Sequence, residues 1–130
     1  MSDISDWLAA WERTINARDY QAARLLFADD VVAFGSLAEH MGSLDELEQR
    51  QWRAIWENTR SFRFDPPIVV KQTADLVVLA CRWRSEGMLP EGGWYDRSGR
   101  CTLVLSHTAS GWRCAHSHFS MDPGIPPRRV

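Results

Sequence analysis

The sequence predicts an α+β domain in which three N-terminal helices are followed by a curved antiparallel sheet that wraps around them and encloses a pocket. Three observations carry this. Apolar residues recur at spacings of three and four through about residue 59, the helical period. From Ser61 the period falls to two, with Phe62 and Phe64 alternating with Arg63 and Asp65. The later segments are joined by turns too short for a crossover helix, so those strands pair antiparallel. Helices first and strands afterwards give α+β. A sheet covered by helices on one face curls around them and leaves a gap that can serve as a cavity.

Each element has its own signal. Asp3 is placed to cap a first helix, whose stripe is Ile4, Trp7, Leu8, Trp11 and Ile15. Asp19 caps a short second helix with Ala22, Ala23, Leu26 and Phe27 on its buried side, and 28–30 end it. Val31 to Phe34 is a short apolar strand, and Gly35 to Gly42 a loop carrying Glu39 and His40. Ser43-Leu44-Asp45-Glu46 is a capping box, with Glu46 expected to reach back to the Ser43 N–H. The third helix that follows runs to about Thr59, its apolar side being Leu44, Leu47, Trp52, Ile55 and Trp56. Pro66-Pro67 interrupts the first long strand, because proline has no N–H for a ladder. Strands over Ile68–Val70, Leu76–Glu86, Arg100–Thr108 and Trp112–Ser120 complete the sheet, with turns at 73–75, 90–93 and 109–111. Asp75 and Asp96 are assigned to turns.

A length of 130 residues fits one domain over 1–130, with 122–130 as an irregular tail that includes the solvated pair Arg128-Arg129. A net charge of −2 gives no nucleic-acid footprint. The start of the chain has no signal-peptide pattern, and no apolar run approaches the ~20 residues of a membrane span. Cys81, Cys101 and Cys114 are odd in number and lack metal-site spacing, which fits a reducing compartment. A cytoplasmic protein without cofactor, metal, nucleic-acid or membrane partner is the expectation.

The words along the chain resemble a known superfamily. Phe27-Ala28-Asp29-Asp30-Val31, Gly42-Ser43 with its helix, and the ending Gly111-Trp112-x-x-x-His116-x-His118-x-Ser120-x-x-Pro123 are similar to the nuclear transport factor 2-like superfamily. The nearest branch is SnoaL-like, close to ketosteroid isomerase and the calcium/calmodulin-dependent kinase II association domain. The resemblance implies a cone-shaped fold, a homodimer and a small-molecule pocket. It does not imply one reaction, because such folds host enzymes, binding modules and assembly domains.

The isomerase's carboxylate base would fall within Ala33 to Ala38, where no carboxylate occurs before Glu39. Its oxyanion tyrosine falls near Trp11 and the partnering carboxylic acid near Leu103. Ketosteroid isomerisation by that mechanism is therefore not expected.

His116 and His118 lie two apart on a strand, and alternation puts Trp112, Cys114 and Ser120 on their face. Two adjacent imidazoles can move a proton, hold an anion, contribute to a metal site or simply hydrogen-bond the sheet. Catalytic candidates are His116, His118, His40 and Glu39. Candidate ligand contacts are His116, His118, Trp11, Trp56, Trp83 and Leu103, around a small apolar or aromatic molecule. Arg82 and Arg84 point opposite to Trp83, and outward if Trp83 faces the pocket. Both parities of Leu76 to Trp83 are apolar, which suggests a second subunit on the outer sheet face. A small-molecule-binding domain, with lyase or isomerase chemistry through pocket histidines, is one reading. A non-catalytic association or ligand-binding module is the other. Converging histidines in a hydrated cavity favour the first, and a cavity walled by Trp the second.

Overall fold

A computed structural model describes residues 2–124; Arg128, Arg129 and the rest of the expected tail beyond Gly124 lie outside them. Helix α1 is Ser2–Ala17. Asp3 sits inside its first turn as the second helical residue rather than at the cap, where its charge still suits the helix N-terminus. The stripe Ile4, Trp7, Leu8, Trp11 and Ile15 is buried throughout. Helix α2 is Tyr20–Arg24, capped by Asp19 through the Ala22 N–H. Phe27 leaves the helix and opens strand β1, Phe27–Phe34. Leu26 N–H and Phe27 are already fixed by the chain around them: Leu26 N–H bonds to Ala23 O, and Leu26 O accepts from Cys114 N–H on the last strand.

The third helix is continuous in residues but not in geometry. It runs as α3, Leu44–Leu47, a π turn, Glu48–Trp52, and α4, Arg53–Trp56. Ser43 caps it by accepting from Glu46 N–H, while Glu46 Oε1 reaches back one residue further than expected, to Gly42 N–H at 2.9 Å. The helix ends at Trp56 rather than Thr59. Arg18, in left-handed backbone at φ 55°, donates to the Trp56 and Thr59 carbonyls and closes that end. An aromatic pile locks the helices together: Trp52 stacks on Trp56, Trp56 on Tyr20, and the Arg53 guanidinium covers Tyr20. Glu48, almost wholly buried, takes ion pairs from both Arg24 and Arg53.

The sheet has six strands in the order β1-β6-β5-β4-β2, with β3 also on β4. Strands β2, Thr59–Phe64, and β3, Ile68–Gln72, pair with successive stretches of β4, Leu76–Met88. They are two halves of one edge broken at Pro66-Pro67. Strand β5, Trp94–Thr108, starts earlier than expected, so Asp96 is a strand residue opposite Glu86 and not a turn residue. Strand β6 is Gly111–Met121. The long strands are antiparallel as expected, whereas β1 joins β6 in parallel, since the loop and third helix separate β1 from the rest of the sheet.

One irregularity decides which residues face inward. Leu105 pairs with Cys114 but Val104 with His116, so Ala115 is an extra residue, a β-bulge. Cys114, Ser117 and Phe119 lie on the inner face opposite Leu105, Leu103 and Cys101, and His116, His118 and Ser120 are turned to the outer face. Cys81 and Cys101 stand directly opposite each other in the inner layer, and with Cys114 they are buried free thiols. No helix among the described residues is long and apolar enough to cross a membrane.

Candidate functional site

A cavity lies between the third helix, α1 and the inner face of the sheet. Its walls are aromatic. Trp11 comes from α1, Trp52 and Trp56 from the third helix, Phe62 from β2, Trp83 from β4 and Phe119 from β6. Trp83 stacks on Phe62 at 5.7 Å, and Trp11 meets Phe119 edge-on at 5.5 Å. The cavity volume is ≈ 50 Å³. A dry cavity of about 150 Å³ holds one benzene ring, so a ring enters here only as the wall opens.

Trp83 can lie flat against the sheet because its neighbour on β5 is Gly99, where an added Cβ would stand 2.5 Å from the indole. The end of β1 and the loop after it contribute Phe34, Gly35 and Ser36 to the lining. Gln51, on the π turn, holds that loop: its Oε1 accepts from the Leu37 and Ala38 N–H groups, and its Nε2 donates to Ser36 Oγ. π turns recur at functional sites because they redirect a side chain locally.

The polar groups at the wall are donors or amphoteric: Gln51, Ser36, Ser117, Arg97 and four indoles. Arg97 is 3% exposed, its Nη2 lies 3.2 Å from Met121 Sδ, and its guanidinium is 5.6 Å from the Trp83 ring. The indole N–H groups of Trp11 and Trp83 are buried and have no hydrogen-bond acceptor among the described residues. Trp7 differs, because its N–H donates to Leu26 O at 3.1 Å. Among the described residues, the cavity wall contains no carboxylate and no imidazole.

The residues singled out from the sequence divide. Trp11, Trp56 and Trp83 line the cavity. Leu103 does not: it is completely buried in the sheet between Leu79 and Ser117. His116 and His118 do not line it either, because the Ala115 bulge reverses the parity that would have brought them inward. Glu39 and His40 are exposed on the loop. Three of these residues do meet, but outside: the rings of His40, His116 and His118 lie 5.9, 5.6 and 5.3 Å from Phe34. His116 Nδ1 is 2.7 Å from the Val32 carbonyl oxygen and ties β6 to β1. No three His, Cys, Asp or Glu residues among those described form a metal-holding group.

Arg82 and Arg84 point outward and pair with Asp122 and Asp65. Arg97, Gln51, Ser117 and Phe119 were not visible as site residues. Arg97 shares parity with Gly99, Cys101 and Leu103, but the glycine masked the strand's beginning. Ser117 and Phe119 were hidden by the bulge.

The sequence matches the family model for the SnoaL-like domain over residues 4–123. The chain is a SnoaL-like domain. No curated protein matches it significantly. Among solved structures, the SnoaL-like domain is similar to a nuclear transport factor 2-like superfamily protein from Salmonella enterica serovar Typhimurium, with TM-score 0.80 and 15% identity, over 98% of this chain and 96% of that one. A ketosteroid isomerase-like protein from Erwinia carotovora atroseptica gives TM-score 0.80 and 20% identity, over 92% and 94% of the two chains. A protein named for the calcium/calmodulin-dependent protein kinase II association domain, from Xanthomonas campestris, gives 0.75 and 18%, over 94% and 84%. At these identities the likeness establishes the nuclear transport factor 2-like fold.

Proposed function

We propose that this SnoaL-like domain is a small-molecule-binding module for a flat aromatic or apolar ligand, without acid–base catalysis in its cavity. The observation that carries this is the wall itself: among the described residues it holds four indoles and three phenyl rings, with neither carboxylate nor imidazole. A placed general base contributes ~10²–10⁴-fold to a proton transfer, and the described residues of the wall offer no carboxylate or imidazole to serve as one. The histidines and Glu39 are on the outer surface or the loop, so lyase or isomerase chemistry through them has less support than binding.

The test has two arms. Ethylbenzene or acetophenone, titrated into the protein, should shift the indole N–H resonances of Trp11 and Trp83 saturably, while a Δ5-3-ketosteroid should turn over no faster than in buffer. Turnover that Glu39→Gln or His40→Ala abolishes would refute the non-catalytic reading.

A second reading concerns assembly. On the outer face, Val78, Val104, His116 and Val32 form one row across four strands, and Ala80, Thr102, His118 and Phe34 form the next, with Ile68 beside Ala80. Phe34, Val32 and Ile68 are 37%, 39% and 66% exposed. This apolar field supports a homodimer through that face, with His116 and His118 inside the contact. Sedimentation of the parent as a dimer, and of Ile68→Lys or Val32→Lys as a monomer, is expected; a monomeric parent at micromolar concentration would defeat it.

A further inference from the structure

We infer that Cys81 and Cys101 are an oxidisable dithiol, which hydrogen peroxide converts to a disulfide between β4 and β5. This site does not depend on what the cavity binds.

The pairing of the strands brings the two sulfurs together. Cys81 and Cys101 are direct partners in the antiparallel ladder, and both side chains lie on the inner face of the sheet. Residues directly opposite in such a ladder have Cα atoms about 4.5 or 5.5 Å apart. A disulfide spans Cα separations of about 4.4–6.8 Å, so either kind of position can close without moving the strands apart. Both thiols are free, and they are hydrogen-bonded to each other.

That hydrogen bond divides the roles. The Cys101 thiol donates to Cys81, which holds the Cys81 thiol below its ordinary value against the opposing effect of burial. Cys101 is pushed up, first by the same bond and then by burial. The thiolate is the nucleophile, so Cys81 attacks first and Cys101 resolves. Cys114 is set apart: burial pushes its thiol up, and its Sγ lies 3.2 Å from the His116 carbonyl oxygen.

Cys81 also stands where the edge of the sheet is broken. The β2 ladder ends at Phe64 opposite Trp83, and the β3 ladder begins at Ile68 opposite Ala80. Neither ladder reaches Cys81. A groove of ≈ 330 Å³ lies at this break, lined by Leu8, Phe64, Asp65, Pro66 and Pro67. A water-sized oxidant approaching here has no strand pairing to open.

The step balances with one peroxide. The Cys81 thiolate attacks a peroxide oxygen; the O–O bond breaks, an S–O bond forms, and the released hydroxide takes a proton to leave as water. Cys101 then attacks the Cys81 sulfenic acid; the S–S bond forms, the S–O bond breaks, and a second water leaves. Two thiols lose two electrons and two protons in all. The new bond lies one inner row from the Trp83–Gly99 pair, beside a wall of the cavity.

The test is a peptide map of the full chain, folded and treated with hydrogen peroxide, then unfolded and capped with iodoacetamide. Trypsin cuts after Lys71, Arg82, Arg100 and Arg113 and leaves the three cysteines on separate peptides. Peptide 72–82 should appear linked to 101–113, and dithiothreitol should release it. Links to Cys114 should be at least about tenfold rarer, because only the folded ladder favours the 81–101 pair. In an unfolded chain Cys114 is nearer Cys101 in sequence than Cys81 is, and loop closure favours the 101–114 link instead. Cys101→Ala should stop at a sulfenic acid on Cys81 that dimedone traps, and Cys114→Ala should cross-link as the parent does. If Cys101→Ala fails to fold, the parent's map decides alone. Three capped thiols after peroxide, sulfinic acid without a link, or a 101–114 link as abundant as 81–101 overturns the inference.

Discussion

Replacing Gly99 with Ala should damage this fold far more than one methyl suggests. Gly99 sits at the centre of β5, between Trp83 on β4 and Met121 on β6. Its added Cβ would lie 2.0 Å from the Ser120 carbonyl oxygen and 2.5 and 2.7 Å from the Trp83 ring atoms Cζ2 and Cε2. Carbon and carbonyl oxygen normally approach no closer than about 3.3 Å. β6 or the indole would have to move by an ångström or more, and the first clash is with backbone, which cannot rotate away. Overpacking costs typically ~1–3 kcal/mol, and two simultaneous clashes place Gly99→Ala at or above the top of that range. For a domain of this size ~3 kcal/mol lowers Tm by about 10–15 °C. Gly42→Ala is the control: its Cβ would find its nearest neighbour, Glu46 Oε1, at an ordinary 3.6 Å, and its Tm should stay within about 2 °C. Thermal unfolding followed by circular dichroism compares the two. A Gly99→Ala protein that melts within about 2 °C of the parent would refute the claim that Trp83 is seated against bare backbone.

Other outcomes follow from the same geometry. Gln51→Ala removes three hydrogen bonds that hold the loop after β1, so amide exchange at 36–38 should accelerate by about tenfold or more, read by mass spectrometry, while global stability falls by only ~1–2 kcal/mol. Tyr20 is pushed up to about 12, first by burial and then by its hydrogen bond to Glu57. A phenol whose folded pKa is raised favours the folded state below the unfolded value of ~10 and loses that contribution as pH climbs toward about 12. Absorbance titration should show a late phenolate step that Tyr20→Phe abolishes, and Glu57→Gln should move that step earlier. His118→Ala should leave cavity binding within about twofold of the parent, since His118 lies on the outer face; a loss of tenfold or more in acetophenone affinity would contradict that placement.

Much of the architecture was legible because it is written in local patterns. The α1 stripe, the Asp19 and Ser43 caps, the prolines of the β2–β3 break and the Gly111 hairpin each follow from short-range sterics or burial. The Trp side of the cavity was legible for the same reason, since Trp11 and Trp56 fall on the buried faces of amphipathic helices. What escaped was set by distant partners. Glycine inside a strand reads as a break, yet Gly99 is there because an indole from another strand occupies the space of its missing side chain. The π turn depends on what Gln51 reaches across the loop, and the parallel seating of β1 on β6 joins segments more than eighty residues apart. The histidines were assigned to the wrong face because alternation was assumed through Ala115.

That extra residue makes the cavity's chemistry a matter of register. Drawn into the ladder, Ala115 would slide the remainder of β6 one place along β5. His116 and His118 would then enter the layer now held by Ser117 and Phe119, opposite Leu103 and Cys101. The same eleven residues of β6 thus encode two interiors, one phenyl-lined and one carrying imidazoles. The chain keeps the first because burying Phe119 is favourable, whereas burying two imidazoles would strip them of water without supplying partners.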